Sequence, residues 1–135
     1  MELTSVLVTG AALPTSAAAA REHVDELLRT HFAPGDGASR EEIVRADALL
    51  VTSELVTNAF RHGGGLTGFS ARIRGDELLL SVADASTEPP VAPSRAPGQY
   101  TVGGYGWSMV GRLATHVSVI PTDTGKRIEV VVPLA

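Results

Sequence analysis

The segment TSELVTNAFRHGGG, residues 52–65, holds the side chains best suited to chemistry. Glu54, Asn58 and His62 recur every four residues, and Arg61 falls beside them. At about 100° per residue on an α-helix, these four occupy roughly 100° of arc along one edge. Leu55 and Ala59 lie on the adjoining face, with Val56 and Phe60 further round. A carboxylate and a carboxamide one turn apart are complementary beside a phosphate. The amide oxygen is a neutral hard ligand for Mg²⁺, an ion that retains waters and also takes phosphate oxygens. The carboxylate can orient or deprotonate a nucleophile next to a terminal phosphate. The same residues also suit a solvated polar edge near a helix C-terminus.

Two further groups carry chemistry of the same kind. Asp84 follows the apolar stretch LLLSVA, where a strand end delivers a side chain to a pocket rim. An ionised carboxylate there accepts hydrogen bonds, for instance from an exocyclic amine such as that of adenine, or closes an Asx-type turn. In VGGYGWSMV, glycines 103, 104 and 106 precede an apolar helical pattern. Glycines so placed let backbone N–H groups approach an anion, aided by the helix dipole. No G-K-[ST] follows, so this is not a Walker A loop, and no suitable strand precedes it for a dinucleotide fingerprint.

These residues need a scaffold, and the chain is long enough for one. Its 135 residues are 44% hydrophobic, which fits a single domain with a substantial core. The absence of cysteine excludes disulfides and thiolate metal sites and suits a reducing cytosol. A net charge of −4 without a lysine or arginine run disfavours nucleic acid as a partner. The N-terminus lacks a basic signal region, and no segment reaches the roughly 18 apolar residues of a membrane span. The expectation is a cytoplasmic protein with no membrane partner.

Periodicity then places the elements. SVLVTGAAL (5–13) reads as a strand, and Ser16 as the cap of a helix in which Ala20, Val24, Leu27, Leu28 and His31 recur at helical spacing. Ser39 and Glu42 form a capping-box pattern opening a helix from about 40 to 62. Its core stripe is Val44, Ala48, Val51, Leu55 and Ala59, and Gly63–Gly65 stops it. LTGFSARI and ELLLSVAD read as a hairpin about Arg74–Asp76, residues 85–104 as a long loop with prolines at 89, 90, 93 and 97, and residues 104–116 as a helix. VSVIP and RIEVVVPLA close the chain as a hairpin about TDTGK. The order β-α-α-β-β-loop-α-β-β predicts an α+β two-layer sandwich, a mostly antiparallel mixed sheet with helices on one face.

With these motifs in place, the chain resembles a known superfamily. SELVTNAFRHGG, SVADAS and GGYGWSMV look like the N, G1 and G2 boxes of GHKL-type (Bergerat-fold) ATP-binding domains. The resemblance spans about 10–134 and is nearest to bacterial anti-sigma-factor serine kinases and their small actinobacterial relatives. It implies ATP and Mg²⁺ as cofactors, Glu54 as general base, Asn58 as magnesium ligand, Asp84 as adenine reader, and Gly104 and Gly106 as phosphate-loop glycines. Arg61, His62, Ser86, Gly103, Tyr105, Trp107 and Ser108, within or beside these boxes, complete the implied nucleotide-binding set. Residues 85–103 would form an ATP lid. The implied activity is to bind a sigma factor and phosphorylate a serine on a small antagonist protein, with a homodimer as the implied assembly. A catalytically silent, ATP-gated interaction module of the same fold is the alternative. A histidine-kinase fragment is disfavoured, because the short N-terminal region has no room for a dimerisation hairpin.

The chain departs from the family pattern at three places. Ala85-Ser86-Thr87-Glu88 replaces the glycines of the D-x-G-x-G box. Thr101-Val102 stand where a basic residue often precedes the second glycine box, leaving Arg95 as the nearest candidate. Lys126-Arg127 follow Gly125, where threonine often assists adenine binding.

Overall fold

A computed structural model describes residues 4–9, 13–32, 38–88 and 104–135. Eight elements follow one another: β1 (Thr4–Thr9), α1 (Ala17–His31), α2 (Ala38–His62), β2 (Leu66–Arg74), β3 (Glu77–Asp84), α3 (Gly104–Leu113), β4 (His116–Thr122) and β5 (Gly125–Pro133). The strands form one five-stranded sheet in the order β1-β2-β3-β5-β4. Every described pairing is antiparallel, so the parallel component expected of a mixed sheet is not found among the described strands.

Period-two alternation gives the sheet one apolar face. Its cross-strand rows run Ile73–Leu78–Val132, Ala71–Leu80–Val130–Val117 and Phe69–Val82–Ile128–Val119. Nearly all of these side chains are buried, although Val119, in the edge strand β4, is 41% exposed. A fourth row, Leu66–Asp84–Lys126–Pro121, ends the face with charge instead of hydrocarbon. Pro121 is accommodated because β4 is an edge strand and needs no ladder donor there.

The helices cover this face. α2 lies over β2, β3 and β5, α1 packs against α2 near β1 and β2, and α3 packs against α2. From α2, Ala48, Val51, Leu55, Val56 and Ala59 enter the core, as do Ala20, Val24, Leu27 and Leu28 of α1. Val44 and His31, placed on the core stripes by spacing, are only half-buried. Thr52 is also fully buried, its hydroxyl donating to the Ala48 carbonyl oxygen at 2.8 Å. Phe60 lies beyond the stripe and is 43% exposed.

The termini of the elements follow local chemistry with two differences. Ser16 caps α1 as expected, accepting from the Ala19 N–H at 3.0 Å. β1 is Thr4–Thr9, and residues 10–12 of the strand expected over 5–13 lie outside the described residues. α2 opens at Ala38, so Ser39 stands inside the first turn and not at the cap the S-x-x-E pattern assigns to it. α3 stops at Leu113, three residues early, because β5 captures the chain: the Thr115 N–H donates to the Val131 carbonyl oxygen at 2.9 Å.

Charged contacts lock α1 to α2. Asp25 accepts from the Arg45 guanidinium and from Arg29 at 3.0 Å. The hydrogen bond from Arg45, more than the charges around it, holds the Asp25 carboxyl below the ordinary aspartate range. A carboxyl whose pKa falls on folding stabilises the fold above its unfolded value, and that contribution is lost as pH drops through the lowered folded value. Arg45 is 39% exposed, so solvent screens the pair and its worth is roughly 1 kcal/mol. Asp25→Asn is therefore expected to cost about that much at neutral pH, and the cost should shrink as pH falls below the ordinary aspartate range, read from urea denaturation at neutral and acid pH.

Candidate functional site

The row of polar residues on α2 occupies a definite flank. Arg21 of α1 donates to the Ser53 hydroxyl at 2.7 Å, which marks the side of α2 that faces α1. Glu54 and Asn58 lie about 100–140° round the helix from Ser53, on the opposite margin of the core stripe. Both are half-buried, and among the described residues neither side chain is hydrogen-bonded. Arg61 and His62 are exposed in the last turn, where cationic groups suit the carbonyl end of the helix dipole. Their exposure separates them from the half-buried pair.

Below the end of α2 lies Asp84, last in the inward row of β3. A register shift between Leu66 and Gly68 brings Leu66 opposite Asp84, so a bulge sits at this end of the sheet. The chain leaves α2 through Gly63–Gly65, with φ of +71° at Gly64 and +119° at Gly65. Gly65 then accepts the Ala85 N–H through its carbonyl oxygen at 3.3 Å, tying the end of α2 to the segment after Asp84. Two glycines wall the carboxylate. A Cβ on Gly63 would lie 2.5 Å from Asp84 Cγ, and one on Gly125 would overlap the Asp84 carbonyl oxygen.

Asp84 is 3% exposed and fully engaged from within. Lys126, directly opposite on β5, donates through Nζ to Oδ1 at 3.0 Å and lies 2.9 Å from Oδ2. The Ser86 N–H donates to Oδ1 at 2.9 Å, so the Asx-type turn is present as well. The Ser86 hydroxyl accepts from the Glu88 N–H at 3.1 Å, which makes Ser86 a turn-forming residue. Lys126 was visible in the sequence only as a departure from the family pattern. Its period-two spacing from Ile128, Val130 and Val132 is the signal that places it on the face of Asp84.

At the third group, α3 opens at Gly104, so the backbone N–H groups of residues 104–106 belong to its first turn. Trp107 is half-buried against the core, Ser108 is exposed, and Val110 is buried. Gly103 and the lid beyond Glu88 lie outside the described residues. A cavity of about 340 Å³ on the opposite face of the sheet, lined by Arg72, Ser81, His116 and Glu129 among others, contains none of the expected site residues.

Residues 10–132 match the histidine kinase-like ATPase domain. The chain belongs to this family. Among solved structures, the histidine kinase domain of the blue-light-activated histidine kinase of Erythrobacter litoralis has a similar fold, with a TM-score of 0.50 and 18% identity. The alignment covers 96% of this chain and 65% of that one, so the chain spans less than two thirds of that structure's length. No curated protein matches it significantly.

A histidine kinase-like ATPase domain implies ATP, generally with Mg²⁺. The chemistry of the donor set fits the metal. Asn58 offers a half-buried amide, and among the described residues no three acidic or imidazole groups converge to hold a cation alone. Asn58 would add a neutral hard oxygen to the waters and phosphate oxygens that Mg²⁺ retains. The Asp84 carboxylate, expected to read the adenine, carries Lys126 upon it.

The glycine walls give a direct test. Gly125→Ala forces backbone to move beside Asp84 and should cost about 1–3 kcal/mol in denaturant unfolding. Gly111→Ala, at an exposed position of α3 with open space around its Cβ, should instead stabilise by up to about 1 kcal/mol.

Proposed function

We propose that this protein is an ATP-dependent regulatory kinase of the anti-sigma type, which binds a sigma factor and phosphorylates a serine of a small antagonist protein. The observation that supports this most is the half-buried pair Glu54 and Asn58 on the flank of α2 away from α1, above the strand end that carries Asp84. When bound, ATP would supply the transferable phosphoryl group and Mg²⁺ would offset the phosphate charge. Asn58 would hold the ion through its amide oxygen, Asp84 would read the base, and the N–H groups of the first turn of α3 would be available to the phosphates. Glu54 would accept the serine hydroxyl proton as that oxygen takes the terminal phosphoryl group and ADP leaves. Positioning and electrostatics contribute most of the catalysis in such a site. The same reading includes a homodimer, which light scattering tests.

One observation favours a second reading, an ATP-gated binding module without transfer. The pair between Lys126 and Asp84 occupies the base-reading carboxylate, and Ser86 forms a turn where the family carries glycine flexibility.

Two substitutions separate these readings. Asn58→Ala should keep the melting temperature and lose Mg²⁺-dependent ATP binding in calorimetry, since the residue lies outside the core. Unchanged Mg²⁺ dependence refutes its role as ligand. Glu54→Gln should keep ATP affinity while phosphoryl transfer from γ-labelled ATP to serine-bearing antagonists falls by about 10²–10⁴-fold. Wild-type protein that binds ATP yet labels no antagonist supports the module instead.

A further inference from the structure

The pair between Asp84 and Lys126 has more to it than a family residue replaced. Each partner is almost completely buried, with side-chain exposures of 4% and 7%. Nζ reaches both carboxylate oxygens, and the Ser86 N–H takes a further acceptor position on Oδ1. Among the described residues no buried side-chain nitrogen or oxygen lacks a partner, so both carboxylate oxygens are engaged without a ligand.

That arrangement competes with base recognition. An exocyclic amine approaches a carboxylate as a donor and needs room beside an acceptor oxygen. An ammonium offers donors only, so where it spans both carboxylate oxygens the incoming amine must share the space with another donor. Asp84 is closely surrounded: the Gly63 side leaves no space for even a Cβ beside its carboxyl carbon, and its backbone packs tightly against Gly125. Lys126 is the partner that can move: its charge sits on a flexible four-carbon stem, and its neighbour across the edge, Pro121, is exposed.

We propose that Lys126 is a resident competitor for the base-reading carboxylate, holding Asp84 closed so that an adenine nucleotide binds only as the ion pair opens. This rests on the nucleotide-site reading and adds a specificity-determining residue to it. The apparent affinity for nucleotide is then lowered by the fraction of molecules in which the pair is open. A buried pair is weakly screened, so added salt does little to release it.

The test is calorimetric titration of the full chain with Mg–ATP for wild type, Lys126→Thr and Lys126→Gln. Each variant removes the ammonium from Asp84, and thermal melts establish that it folds. Both are expected to bind ATP roughly ten- to a hundred-fold more tightly than wild type, and adding Asp84→Asn to either should abolish the gain. Equal or weaker binding by a folded variant overturns the proposal, and if wild type still binds ATP in an Asn58-dependent way the nucleotide site stands without it. Loss of a cooperative melt in both variants also overturns it, because Lys126 would then be a requirement of the fold. Absence of ATP binding in wild type and in folded variants alike refutes the nucleotide site itself, and the proposal with it.

Discussion

The sheet's inward rows are the constraint on which everything else depends. Three rows of hydrocarbon across β2, β3 and β5 give α2 a surface to cover, and burying that surface is the main driving force for the fold. The fourth row, at the same end as the α2 C-terminus, is where the apolar pattern gives way to Asp84 and Lys126. The charged pair is thus held by the same pleat that builds the core. Its position is fixed by packing over several strands, not by a loop.

α2 links this sheet to the chemistry because its circumference is divided among tasks. One margin of its apolar stripe faces α1, through Arg21–Ser53 and Asp25–Arg45. The other margin carries Glu54 and Asn58. A helix used in this way cannot roll without breaking the contacts with α1, and those contacts consequently orient residues they never touch. The Gly63–Gly65 exit extends the same linkage to the segment after Asp84 through the bond from Ala85 to Gly65.

Local pattern made most of this legible. Alternation through Phe69, Ala71 and Ile73 reports which side chains face inward, helical spacing in 44–59 reports the stripe of α2, and Ser16 reports its own cap. The features that escaped depend on contacts distant in sequence. α3 ends early because Val131 captures Thr115, a bond between residues 16 positions apart. Lys126 reaches Asp84 across 42 positions, and no short window shows a lysine that buries itself against a carboxylate. Ser39 matches a capping box in type and spacing, yet α2 begins one residue before it. The turn made by Ser86 at the start of the lid region is likewise set by Asp84 accepting its N–H.

Direct opposition of Asp84 and Lys126 also imposes an arithmetic on how such a chain can change. Side chains alternate between faces, so inserting or deleting one residue between Lys126 and Val132 would turn the lysine outward and bring a different neighbour against the carboxylate. Two residues would restore the side but shift the row. Point substitutions in β3 and β5 leave the rows intact, whereas changes of strand length do not. Connections such as 75–76 and 123–124 can therefore take a change of length at little cost, whereas an odd count inside a strand moves its inward row to the outer face.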